Sequence, residues 1–170
     1  AGLACAAVLR RAGVGVTVYD AADKAGGLAD HGIVPWRLPR ETVATEVAEV
    51  ERAGARIVTG SLVGRDVDPA ALLAGNDAVV VAIGLGRCKP LGIPGEDLPG
   101  VVDALDVVGR AITGAAEPAI GRRVAVIGGG STAFDAAAAA VRLGAEEVTL
   151  FYRRSEAECP AYPHAIDLDA

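Results

Sequence analysis

Basic residues never gather into a block in this chain, histidine occurs only at positions 31 and 164, and three cysteines stand far apart without a CxxC pair. Each scarcity removes a class of function. With no Lys/Arg cluster, and with 22 acidic against 16 basic residues for a formal charge of −6, there is no sequence-independent hold on nucleic acid or on an anionic membrane surface. Cys5, Cys88 and Cys159 are too scattered, and odd in number, for a disulfide framework, and no dithiol redox centre is written in them. They read as small buried or half-buried side chains in a reducing cytoplasm. No apolar run reaches the roughly 18 residues of a membrane helix, and no basic segment leads into an apolar core of signal-peptide type. His31 and His164 each stand alone in a loop, the setting of surface residues rather than acid–base groups.

What is present is a globular composition. The 170 residues are 52% hydrophobic, enough for the core of one ordinary domain or parts of two small ones. The chain opens in mid-helix: Leu3–Ala12 are helix formers, Gly13 is a natural stop, and Val14–Asp20 is a β-branched strand ending in an acid. Val43, Val47 and Val50 repeat at helical spacing and predict a helix over Arg40–Ala53, followed by a strand at "ARIVTG". A short helical turn at "DPAALLAG" leads into "DAVVVAIG", Asp77–Gly84, a continuous apolar run of the kind found in strands covered on both faces. "LGIPGEDLPG" is a loop and a domain boundary. One more helix near Asp103–Ile112 precedes "VAVIGGGSTAFDAAAAAVRLGAEEVTLFYRRS". Strands alternating with helices imply an α/β class of Rossmann-like units with parallel sheets joined by crossover helices.

The glycines of that last stretch supply the chemistry. Val124–Ile127 is a strand, and Gly128, Gly130 and Ala133 fit G-x-G-x-x-A. The first glycine permits the tight turn, the second lets backbone approach a pyrophosphate, and the small third residue keeps the helix close to the strand. The helix then offers unpaired N–H groups and the positive end of its dipole to phosphates. The next strand ends at Tyr152, where the fingerprint puts its ribose-reading acid about 20 residues on. Arg153 and Arg154 stand there instead. Guanidinium groups grip a 2′-phosphate, so this unit is expected to prefer NADPH to NADH.

An internal echo extends the reading. Leu3–Asp20 and Ser131–Tyr152 are both Ala-rich helix, Gly, then β-branched strand, which implies two dinucleotide-binding units in tandem. In the first, Asp20 closes the second strand and suits a nucleotide with a free 2′-hydroxyl, such as the adenosine half of FAD. Gly2 falls where the third glycine of a GxGxxG would be, with the strand and first two glycines expected ahead of Ala1.

These motifs, with "VTVYDAADKAGGL", "GIVPWRLPRETV", "AIGLG", "LGIPGEDLPGV" and "RRSEAECPAYP", occur in the order seen in a known family. Along essentially its whole length the chain resembles FAD-dependent NADPH oxidoreductases of the type of the glutamate synthase small (beta) subunit, and the reductase portion of dihydropyrimidine dehydrogenase is similar. The resemblance implies an FAD-binding domain over 1–98 and the N-terminal half of an NADPH-binding domain over 99–170, both truncated. It implies Ala1 and Gly2 at the end of the FAD pyrophosphate loop, Asp20 on the ribose, and Gly27 and Leu28 in a loop passing the flavin nucleotide. Arg37 matches an FAD contact, and Val63 a backbone contact after the third strand. Gly129, Gly130, Ser131 and Thr132 match NADPH phosphate contacts, with Arg153 and Arg154 on the 2′-phosphate.

Two positions depart from the family pattern: Asp20, where Glu is commoner, and Val34, which separates Ile33 from Pro35. The implied chemistry is hydride transfer from NADPH to FAD and electron passage to an iron–sulfur chain and a large partner subunit, the clusters lying in missing segments or in the partner. The cofactors carry the reaction, so no catalytic acid, base or nucleophile is assigned. Asp135 is expected to be a structural hydrogen-bond acceptor, and Trp36 to fill core between domains. Three alternatives stand: an inactive nucleotide-binding fragment, an NAD-dependent reductase subunit of the dihydropyrimidine dehydrogenase type, and an NAD(P)H-binding subunit whose flavin lies elsewhere. Asp20, Gly26 and Gly27 argue against the last.

Overall fold

The computed structural model describes residues 1–114 and 120–161. They form two compact units, Ala1–Asp30 with Leu38–Leu85, and His31–Arg37 with the described residues from Gly86 onward.

The first unit is a parallel βαβ arrangement. Helix α1 (Gly2–Arg11) leads to strand β1 (Thr17–Tyr19), and helix α3 (Arg40–Arg52) carries the chain to β2 (Arg56–Val58). The strands pair in parallel with Thr17 opposite Arg56, Val18 opposite Ile57 and Tyr19 opposite Val58. The valine spacing explains α3: Val43 and Val50 are buried, and Val50 meets Ala6 and Ala55 in a small core flanked by Leu3, Ala7, Val16, Val18 and Ile57. Arg10 ties the ends of the two helices, donating from Nε to the Ala53 carbonyl at 3.0 Å and from Nη1 to Val14 at 2.7 Å. A side chain on Gly54 (φ +92°) would strike that guanidinium, 2.6 Å from Nη2.

Between β1 and α3 the expected loop closes into a short helix, α2 (Leu28–His31). Gly26 and Gly27 turn the chain with φ of +137° and +58°, and a Cβ on Gly26 would meet Val43 Cγ1 at 2.8 Å. Arg40 secures the turn, binding both carboxylate oxygens of Asp30 at 2.9 and 3.0 Å and its carbonyl at 3.1 Å. The "DPAALLAG" turn is α4 (Pro69–Gly75), capped by the Asp68 carboxylate on the Ala70 N–H.

The apolar run Asp77–Gly84 departs from its expected strand. It joins no ladder among the described residues, and Val81 and Ile83 are 77% and 90% exposed. A strand buried on both faces needs a hydrogen-bonding neighbour and covering layers, and the β1–β2 pair does not extend to this segment. The start of α1 lies beside it: a Cβ on Gly2 would stand 3.5 Å from that of Ala82.

In the second unit, β3 (Arg123–Ile127) and β4 (Glu147–Phe151) pair in parallel, residue for residue from Arg123 opposite Glu147 to Ile127 opposite Phe151. Helix α6 (Ser131–Arg142) crosses between them. Its alanines are the reason it packs so closely: Ala133 and Ala137 sit with Val126 against Val124, Val148 and Leu150, while Ala136 and Ala139 join Val107 and Val108 of α5 (Ala104–Thr113). Asp103 caps α5, accepting from the Leu105 N–H at 2.9 Å, and Gly114 ends it in the left-handed region. Val34 completes this core with no exposed surface, so the residue that departs from the family pattern is an anchor of the 31–37 segment. Trp36 fills no core: it is 43% exposed, with the Arg142 guanidinium 3.8 Å above its ring.

Candidate nucleotide-binding loops

The glycine loop begins where β3 ends. Gly128 adopts φ +150°, and its N–H donates to the Phe151 carbonyl at 2.9 Å, so the turn starts level with the end of β4. A Cβ on Gly128 would stand 3.1 Å from that of Ala133. The two small residues at the ends of the fingerprint therefore occupy one space, and each restricts the size of the other. Gly130 is different: it is the N-cap of α6 at φ −87°, and a Cβ there would meet nothing within 4 Å. Packing does not require a glycine at this position.

Gly129 occupies a slot that the fingerprint leaves free, yet the fold constrains it most. It is buried, and a side chain would run into the Tyr152 ring, 2.6 Å from Cε2 and 2.7 Å from Cγ. The Cys159 thiol donates to its carbonyl at 2.8 Å. Sequence reasoning passed over both Tyr152 and Cys159. The only signal was a third consecutive glycine where two would satisfy the motif.

Donors collect at this end of α6. The Gly130 carbonyl accepts from Ala133 and Phe134, whereas among the described residues no protein acceptor takes the N–H of Gly129, Gly130, Ser131 or Thr132. The Ser131 and Thr132 hydroxyls are likewise without a protein partner there. Such a helix end favours an anion through both its free donors and its dipole. Arg153 and Arg154 follow the end of β4, exposed, and among the described residues neither is paired with an acid. The nearby Glu158 is engaged otherwise, accepting from the Ser155 hydroxyl at 2.8 Å in a capping box over the 3₁₀ turn Glu156–Glu158.

In the first unit Asp20 and Val63 follow the C-terminal ends of β1 and β2. Asp20 continues the ladder, its N–H on the Val58 carbonyl and its own carbonyl on the Ser61 N–H. One carboxylate oxygen accepts from the Ala22 N–H at 3.0 Å. Val63 follows in a tight turn bridged to Val67 and is 42% exposed. That turn is braced by Asp66, whose carboxyl is held below its ordinary range by the Arg65 guanidinium and the Leu62 N–H. Ala1 and Gly2 open α1 with no side-chain cap, and Leu28 is 38% exposed beside Gly27.

Arg37 belongs to the second unit. Its Nη1 binds both Asp135 oxygens, at 2.8 and 2.9 Å, with side chains 23% and 10% exposed. Asp135 is thus the structural acceptor expected of it. His31 is exposed, and His164 lies outside the described residues. Cys5 and Cys159 are half-buried, but Cys88 is exposed, unlike the expectation for all three. No described helix is long and apolar enough to cross a membrane, and no described group of His, Cys, Asp and Glu could hold a metal ion.

Residues 1–168 match the family of pyridine nucleotide-disulphide oxidoreductases. Among curated relatives, the glutamate synthase [NADPH] small chain of Halomonas elongata is 39% identical over 94% of this chain and 36% of its own length. The NADPH-Fe(3+) oxidoreductase subunit beta of Geobacter sulfurreducens is 39% identical over 98% of this chain and 25% of its own. The structure of Mycobacterium tuberculosis FprA in complex with NADPH superposes with a TM-score of 0.79 at 25% identity, covering 96% of this chain and 43% of that one. The chain thus spans less than half the length of each of these proteins. Its Rossmann-like fold of short parallel sheets is the fold of these neighbours, and the chain belongs to the pyridine nucleotide-disulphide oxidoreductase family.

Proposed function

We propose that this chain is the nucleotide-binding part of an FAD-dependent NADPH oxidoreductase that feeds electrons through an iron–sulfur chain to a large partner subunit, as its likeness to glutamate synthase small chains supports. On this reading residues 1–98 serve FAD and residues 99–170 serve NADPH, in the cytoplasm. When bound, the nicotinamide donates a hydride and the flavin accepts it. The chain's own residues bind and orient. Gly128 turns the loop toward the NADPH pyrophosphate, Gly129, Gly130, Ser131 and Thr132 hold it with backbone N–H groups and hydroxyls, and Arg153 and Arg154 clasp the 2′-phosphate. Ala1 and Gly2 at the start of α1 face the FAD pyrophosphate, Asp20 turns its remaining carboxylate oxygen to the ribose, and Gly27, Leu28, Arg37 and Val63 border the flavin nucleotide.

The observation that carries the reading is that N–H groups without a protein acceptor among the described residues stand at the start of α6, while two guanidinium groups without an acid partner there follow the end of the paired strand β4. The test is calorimetric titration of the purified protein with NADPH and NADH, beside the variant Arg153→Ala/Arg154→Ala. NADPH should be preferred by at least about tenfold, roughly 1.4 kcal/mol, and the preference should vanish in the variant. Equal affinity for the two nucleotides in the unaltered protein would overturn the assignment of the arginines.

A further inference from the structure

The peptide between Gly129 and Gly130 has no Cβ on either side, so its rotation meets little intrinsic resistance from its own residues. Its orientation decides what a pyrophosphate would meet. A trans peptide is planar, with carbonyl and N–H pointing to opposite sides, so one orientation offers the Gly130 N–H and the flipped one offers the Gly129 carbonyl, an anion-repelling dipole. Two side chains outside the loop hold it in one orientation. The Cys159 thiol donates to the Gly129 carbonyl at 2.8 Å, and the Tyr152 ring lies over Gly129 where a side chain would be. Tyr152 is itself tied to the same segment, its hydroxyl donating to the Glu158 carbonyl at 3.0 Å, one residue before Cys159. The Gly130 N–H, on the other side of the peptide, has no protein acceptor among the described residues, and none of them fills the space beside Gly130.

We propose that Cys159 is a positioning residue for the dinucleotide: its thiol holds the Gly129 carbonyl back and thereby turns the Gly130 N–H toward the pyrophosphate. The proposal rests on the NADPH reading above. It concerns a neutral hydrogen bond, so serine, a better donor of smaller size, should substitute for the thiol where alanine cannot.

The test titrates the protein, Cys159→Ala and Cys159→Ser with two probes: NADPH, and adenosine 2′-monophosphate, which carries the 2′-phosphate but no pyrophosphate. Cys159→Ala should raise the Kd for NADPH about three- to tenfold and leave that of adenosine 2′-monophosphate unchanged, and Cys159→Ser should restore NADPH binding. Undiminished NADPH affinity in Cys159→Ala would overturn the positioning role alone. Equal losses for both probes would overturn it too, since they would mean that the thiol supports the unit generally. An unaltered protein that binds neither probe would sink the NADPH reading, and the role of Cys159 with it.

Discussion

Gly129 and Gly130 are neighbours of the same kind held for different reasons, and substitution separates them. Gly129→Ala forces a methyl group into the Tyr152 ring; overpacking of this sort costs about 1–3 kcal/mol, so thermal unfolding should shift down and nucleotide binding fall with it. Gly130→Ala meets no protein atom and needs no unusual φ. Its stability should stay within about 0.5 kcal/mol of the parent, while NADPH affinity drops at least tenfold. A Gly130→Ala protein that keeps full affinity would show that no ligand approaches there. Asp135 poses a question of a different kind. Its carboxylate is buried and satisfied by Arg37, so Arg37→Ala leaves a charge behind it. Breaking a fully buried pair costs about 3–5 kcal/mol; with Arg37 partly exposed, about 2 kcal/mol is expected in chemical denaturation. The paired replacement Arg37→Leu/Asp135→Leu should recover part of that loss.

Helix α5 depends on one carboxylate at its start. Asp103 accepts from the Leu105 N–H with one oxygen and from the Cys88 N–H, at 2.7 Å, with the other. Partial burial pushes its carboxyl up, but the hydrogen bonds from Leu105 and Cys88 outweigh that and hold it below the ordinary range. The Cys88 thiol is pushed up, first by loss of water and then by the Asp103 carboxylate. A lowered carboxyl contributes stability that is present above its unfolded value of about 3.9 and drains as pH falls through the folded one. Asp103→Ala should therefore cost about 1 kcal/mol at neutral pH, and the gap between it and the parent in urea melts should narrow below about pH 4. A gap that stays constant down to pH 2 would mean that the cap is not ionised. For the raised thiol the sign reverses: its contribution is present at neutral pH and is lost as pH rises through the folded value.

On the proposed reading a net charge of −6 across the whole chain coexists with two nucleotide phosphate sites, and backbone donors with Arg153 and Arg154 would supply the attraction locally. Exposed guanidinium groups are screened by salt, so raising ionic strength from about 0.05 to 0.5 M should weaken NADPH binding several-fold in the parent and far less in Arg153→Ala/Arg154→Ala. Most of the element order and the glycine loop were legible in advance, because they depend on neighbours in sequence: valines three and four apart face one side of α3, and a Gly-x-Gly-x-x-Ala turn has one steric solution between a strand and a helix. The Asp77–Gly84 run was not legible, since an apolar segment becomes a strand only if another strand takes its hydrogen bonds. Nor was it legible that Val34 lies in the core of the second unit, that Trp36 sits under Arg142 instead of filling core, or that Arg37 is held by Asp135. The sequence by itself determined where backbone would turn and which of the longer helices would form, matters of local sterics and periodicity. Only the tertiary structure decided that Gly129 is locked by Tyr152 and Cys159 and that Arg37 is bound by a carboxylate 98 residues away, because such contacts depend on how distant segments pack and leave no local pattern behind.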